Sequence, residues 1–167
     1  YWMQASQRAE YNHALEYAVR RADALGKPVL TCFGLMPAYP GANARHYRFM
    51  LEGLRETAAM LRRRGIGFVL RLEDPPGCAA RLAKRACLLV MDAGYLRHQR
   101  EWRRRAADTA KCAAVAVEGD LVVPVETASP KEEYMAATFR PKLHRALGRF
   151  LTPLSERAPR VCWRGRE

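Results

Sequence analysis

The sequence predicts an α/β domain, a mostly parallel sheet with helices packed on both faces. Two observations carry this expectation. Apolar runs of strand length alternate with amphipathic helices over residues 1–125, and such alternation implies right-handed crossovers between parallel strands. The strand runs are continuously apolar, as strands covered on both faces are. Together they give a doubly wound, Rossmann-like sheet of about five strands flanked by helices.

Each element has its own signal. Tyr1–Gln4 reads as a strand, and a helix follows near Ala9–Leu25 with an apolar stripe at Tyr11, Ala14, Leu15, Ala18, Ala22 and Leu25. Gly26 supplies its C-terminal stop. Pro28–Leu35 is a buried strand. A loop with Pro37, Pro40 and Gly41 leads to a second helix, which ends at Gly65. Its stripe at Tyr47, Met50, Leu51, Leu54, Ala58 and Leu61 steps by three and four, with Glu52, Arg55, Glu56 and Arg62 left for water. A strand at Ile66–Leu72 precedes a short helix entered through Asp74-Pro75-Pro76, where Asp caps and Pro suits the first turn. Then come a strand at Cys87–Met91, an Arg-rich helix near Leu96–Lys111, and strands at Cys112–Val117 and Leu121–Val125.

Beyond Val125 the character changes. Ser129-Pro130-Lys131-Glu132 reads as a capping box that starts a helix, which Pro141 should interrupt. Leu143, Leu147, Phe150, Leu151 and Leu154 form an apolar face in excess of what the sheet needs, before Pro153, Pro159 and Gly165 break the chain. The expected division is an α/β domain over 1–127 and a helical connector over 128–167. The surplus apolar face predicts packing against a further domain.

The bulk composition narrows the class. Apolar residues make up 49% and charged residues 28%, ordinary values for a globular chain. No run of ~18 apolar residues exists to span a membrane, and no secretory signal is present. The chain opens on Tyr1 in mid-strand, which is expected of a piece of a longer protein. A net charge of +12 raises the odds of a polyanionic partner, with solvated helix faces as the plainer account. Five cysteines (Cys32, Cys78, Cys87, Cys112, Cys162) form no C-x-x-C pair. Three fall in expected strands, so mostly buried free thiols in a reducing cytoplasm are expected, with no disulfide or metal site.

Motifs exclude several chemistries. Gly65-Ile66-Gly67 is a fragment of a phosphate loop, but it follows a helix, where it serves as a stop. No Ser/His/Asp elbow and no metal-ligating spacing occurs. His13, His46, His98 and His144 are scattered over helices and read as surface or cap residues. Arg97, Arg100 and Arg104 share one helix face, read as solvated because only Trp102 accompanies them. In a doubly wound sheet ligands sit beyond the carboxyl ends of the strands. Here those ends are the loops that start at Gln4, Leu35 and Asp92.

Several segments together carry a resemblance. They are Tyr1-Trp2-Met3 with Ser6-Gln7-Arg8, Asn12-His13-Ala14-Leu15, Arg45-His46-Tyr47 through Gly53-Leu54, Asp92-Ala93-Gly94-Tyr95-Leu96-Arg97, Val123-Pro124-Val125 and Arg140-Pro141-Lys142. In order and spacing over residues 1–151 they resemble the N-terminal α/β domain of class II DNA photolyases. One departure is Ser6, where many members carry an acidic residue. The resemblance implies light-driven repair of cyclobutane pyrimidine dimers in DNA by the full-length protein. It also implies an all-helical partner domain that binds FAD and damaged DNA, and a deazaflavin antenna chromophore in some members. For this chain it implies no catalytic residue and a chromophore-side scaffold. Met3, Gln4, Ser6, Gln7, Arg8, Leu35, Met36, Tyr47, Asp92, Tyr95 and Arg97 are the candidate lining residues. A cryptochrome-like photoreceptor, a stress-protein-type nucleotide binder and a basic nucleic-acid module remain open beside it, the nucleotide binder disfavoured by the missing glycine-rich loop.

Overall fold

The computed structural model describes residues 1–165; the last two positions of the expected connector lie outside them. The elements are α1 (His13–Leu25), β1 (Leu30–Leu35), α2 (Ala44–Arg63), β2 (Gly67–Leu72), α3 (Pro75–Ala83), β3 (Leu88–Asp92), α4 (Arg97–Thr109), β4 (Ala113–Val117), α5 (Val125–Ala128) and α6 (Ala136–Phe150). Two parallel ladders form, β1 with β2 and β3 with β4. The N-terminal segment joins them, because Trp2 bridges Cys32 of β1 on one side and Met91 of β3 on the other, both in parallel. The order across the molecule is therefore β2, β1, residues 1–3, β3, β4. Chain direction across the sheet reverses between the N-terminal segment and β3, which is where such folds open a ligand crevice.

Both faces are covered, as the continuous apolar runs require. Tyr1, Met3, Phe33 and Val90 join α1 and α2 in one core with Leu15, Val19, Leu61 and Ile66. Trp2, Cys32, Leu89 and Met91 point the other way, into a second core with Cys78, Ala79 and Ala106 of α3 and α4. The alternation of neighbours between two cores is the period of a strand. Each fully buried large apolar side chain, such as Leu61, contributes about 1.5–3 kcal/mol.

Local signals explain the helix ends. Asn12 caps α1 through its side chain, and Gly26 closes it at φ 62. Asn43 and His46 form a reciprocal capping box on α2. Asp74 caps α3, with Pro at its first positions.

Several expectations need correction. The N-terminal strand is reduced to a single pair of bridges. Leu121–Val125 forms no strand and runs through bends into α5. Val123 alone in that run is buried, so it anchors a turn instead of lining a sheet. Ser129 starts no helix: its hydroxyl donates to Glu133 and accepts from Lys142 instead, and the helix begins at Ala136. Pro141 lies inside α6 without ending it, and as the sixth residue it leaves the Ala137 carbonyl without its intrahelical N–H donor. At the margins of the helical stripes, Tyr11, Leu25 and Leu51 are exposed. Among the cysteines, only Cys32 and Cys78 are buried, while Cys87 and Cys162 are exposed.

No residue of α6 is buried, and Tyr134, Met135 and Leu151 are exposed beside it. The chain then returns to the domain. Arg157 and Arg160 donate backbone N–H groups to Glu16 and Asp23 of α1, and the Trp163 N–H donates to the Gly65 carbonyl. No helix among the described residues is long and apolar enough to cross a membrane.

Candidate functional site

A cavity of about 650 Å³ opens beyond the carboxyl ends of the N-terminal segment and β1, walled by the starts of α2, α3 and α4. Its geometry begins with the loop at residues 4–8. Asp92, at the end of β3, accepts the backbone N–H groups of Gln4, Ala5 and Ser6 through Oδ2 at 2.9, 2.9 and 3.0 Å. Its Oδ1 accepts the Tyr1 hydroxyl at 2.7 Å. Burial first, and then the Asp92 carboxylate, push the Tyr1 phenol well above its ordinary ionisation range, so it remains a donor. From the other side Asn12 Nδ2 donates to the carbonyls of Ser6 and Arg8, each at 3.0 Å. Two buried polar side chains thus hold one loop in a fixed shape.

The second wall is the β1–α2 connection. The Tyr47 hydroxyl donates to the Met36 carbonyl at 2.7 Å and accepts the Tyr39 N–H at 2.8 Å. Tyr39 in turn places its hydroxyl 3.0 Å from His98 Nε2. His98 and Trp102 stand edge to face, with ring centroids 5.0 Å apart. Spacing of four residues along α4 puts both rings on one face.

Close backbone approach shapes the floor. A Cβ at Gly34 would lie 2.6 Å from Pro75 Cα, so only glycine lets β1 meet the start of α3. Gly34→Ala is expected to cost about 1–3 kcal/mol through overpacking. A melting temperature within about 1 °C of the parent, roughly the effect of ~0.25–0.5 kcal/mol in a chain of this length, would contradict that tight contact.

Of the residues expected at the site, Met3, Gln4, Gln7, Leu35, Met36 and Tyr47 line the cavity. The others do not line it. Asp92 and Ser6 are buried supports, the Ser6 hydroxyl donating to Asp120 at 3.2 Å. Arg8 donates to the Tyr11 carbonyl, beside the positive φ of Tyr11. Arg97 is exposed on the first turn of α4. Tyr95 donates to Glu118 at 2.9 Å.

Partial burial, then the Glu118 carboxylate, push the Tyr95 phenol up to about 12. A raised phenol favours the protonated form in the folded chain. Its contribution is full below the unfolded value near ~10 and is lost as pH climbs through about 12. Absorbance titration should therefore show a late phenolate step that Tyr95→Phe removes. An unchanged titration curve in that variant would contradict the assignment.

Sequence reasoning passed over Tyr39, His46, His98 and Trp102, all of which line the cavity. The i, i+4 pairing of His98 with Trp102 was the available signal; Tyr39 sits in an irregular loop and offered none.

The model of the DNA photolyase family matches residues 1–160. A deoxyribodipyrimidine photo-lyase of Methanothermobacter thermautotrophicus is 50% identical over 94% of this chain and 35% of its own length. Its namesakes from Potorous tridactylus and Oryza sativa are each 36% identical, over 97% and 98% of this chain and 31% and 34% of theirs. The chain thus spans about a third of the length of these relatives. A solved universal stress protein family structure from Burkholderia pseudomallei superposes with a TM-score of 0.46 at 21% identity, over 70% of this chain and 91% of that one. Matched by the family's model along nearly all its residues, the chain belongs to the DNA photolyase family.

Proposed function

We propose that this chain is the chromophore-side α/β part of a deoxyribodipyrimidine photolyase, and that its cavity holds a flat deazaflavin-type antenna. The cavity itself carries the reading. It lies beyond the strand ends, measures about 650 Å³, and is walled by Phe33, Tyr39, Tyr47 and Trp102 with Met36 and Met50 between them. Pockets of ~300–1,000 Å³ with apolar walls and few polar groups suit aromatic ligands. Trp2 and Gln4 fit the group as well, since each line of the wall they form holds a buried N–H without an acceptor.

When bound, the deazaflavin would supply light absorption. The chain's own residues bind and orient it: Asp92 and Asn12 fix the loop below the ring, and the Tyr47 hydroxyl fixes the loop beside it. FAD does not fit these residues, because no phosphate-cradling glycine loop is present, and it belongs to a helical partner domain of the full-length protein. When bound in that partner domain, it would supply the light-driven electron-transfer chemistry of the repair reaction. The exposed apolar residues Tyr134, Met135 and Leu151 beside α6 offer that neighbour a face. Damaged DNA is thus a partner of the full-length protein, and its free thiols suit a reducing cytoplasm.

Titration with a deazaflavin, followed by its fluorescence, tests the reading. Saturable quenching or enhancement with a micromolar midpoint is expected, and no change up to about 1 mM, a binding energy of only ~4 kcal/mol, would refute it. The chain by itself should show no light-dependent dimer repair, and only salt-sensitive DNA binding in the non-specific range of ~10⁻⁴–10⁻⁶ M.

A further inference from the structure

Although 28% of the residues are charged, none of those lining the cavity is Asp, Glu, Lys or Arg. A phosphate drawn inside would meet no lysine or arginine, only the imidazoles of His46 and His98. The usual substitute, the free N–H groups of a helix start, is also largely taken. Asn43 accepts from Arg45 and His46 at the start of α2. Asp74 accepts from Gly77 in α3, whose first two positions are prolines without an N–H. Of the three helix starts at the cavity, α4 alone opens without a side-chain cap bond.

The polar atoms of the wall are mostly partnered among themselves. Tyr47 is bonded to Met36 and Tyr39, Tyr39 to His98, and His46 to the Asn43 N–H. Two donors remain. Trp2, 1% exposed, keeps its indole N–H without an acceptor, and so does the Gln4 amide nitrogen. An indole nitrogen is a donor only, and a buried donor left unpaired is costly. The wall therefore asks its occupant for acceptors and offers it no lysine or arginine as a counter-charge, and the two imidazoles are engaged by Asn43 and Tyr39.

We infer that the cavity selects a fused aromatic ring by a carbonyl-bearing edge set against Trp2 and Gln4, and that it excludes phosphate. This rests on the antenna reading and adds to it the chemical feature by which the ligand is chosen. Gln4 and Trp2 are specificity residues, and a phosphorylated side arm stays in solvent outside the wall.

Riboflavin and FMN share one carbonyl-bearing ring and differ by a phosphate, so they serve as probes. Fluorescence titration of the parent chain should give affinities within about twofold for the two, unaltered between about 50 and about 500 mM salt, because no ion pair is there to be screened. FMN binding tenfold tighter, with loss in salt, overturns the inference and points to the α4 start as a phosphate site. Gln4→Met keeps the shape and removes the donor, and should weaken riboflavin about five- to tenfold with an unchanged melting curve. Unchanged affinity in that folded variant also overturns it. Should the variant fail to fold, the riboflavin and FMN comparison decides alone. If deazaflavin binds while either flavin result fails, the antenna reading stands without this selectivity; if no ring binds, both are lost.

Discussion

Asp92→Ala is expected to lower folding stability by about 4 kcal/mol, because it strips acceptors from several buried donors at once, each worth ~1–3 kcal/mol when orphaned. Those donors are the N–H groups of Gln4, Ala5 and Ser6 and the Tyr1 hydroxyl. Water replaces part of the loss, which is why the expected figure falls below the sum. Against a usual total of ~5–15 kcal/mol, such a loss leaves a marginal protein. In urea the midpoint should fall by about 2 M for a slope near ~2 kcal/mol/M. Asp92→Asn is the discriminating control. Its remaining oxygen still accepts the loop N–H groups and its amide donates to the Tyr1 oxygen, so a cost of about 1 kcal/mol is expected. Equal midpoints for Asp92→Ala and the parent would mean that the loop is not held by this carboxylate. Chromophore titration on the same proteins should follow stability, since Gln4 and Gln7 lose their support with the loop.

The same residue illustrates what a sequence reveals. A carboxylate at the end of an apolar run was legible as a crevice residue, and the structure uses it to hold the backbone N–H groups of Gln4, Ala5 and Ser6, far away in sequence. Alternation and buried runs were enough for the layers, because strands buried on both faces leave continuous apolar runs that stand apart from the three- and four-residue stripes of the helices between them. The N-terminal segment pairs on both sides yet has so few residues that its strand is reduced to bridges at Trp2. Leu121–Val125 misled because β-branched and apolar residues do not distinguish a strand from an exposed turn held by one anchor, here Val123. Ser129 misled because its hydroxyl has stronger partners in Glu133 and Lys142 than a backbone N–H; Lys142 first, then Ser129, hold the Glu133 carboxyl down at about 2. Within the site, most of the wall comes from loops and helix starts brought together over long separations, such as Tyr39 with His98. No local period encodes that meeting.

Arg64→Met should be nearly as damaging, for a different reason. Glu16 on α1 is fully buried, and its carboxylate pairs with Arg64 and accepts the Arg157 N–H at 3.2 Å. Arg64 also donates to the carbonyls of Ala9 and Arg157, at 2.6 and 2.7 Å. One guanidinium therefore ties together α1, the end of α2, the loop before α1 and the returning tail. Removing it leaves a carboxylate in the core with a single backbone donor, a situation that typically costs ~3–5 kcal/mol. Substituting both partners is a different matter, because a well-packed apolar pair often equals or exceeds a buried ion pair. Arg64→Met alone is expected to lose about 4 kcal/mol, while Glu16→Leu combined with Arg64→Met should recover to within about 1.5 kcal/mol of the parent. Protease nicking of the 154–163 segment should rise in both, since each loses the Arg157 anchor. Additive losses in the double variant would show that the pair is not coupled, and that the tail is held by its backbone contacts to Asp23 and Gly65 instead.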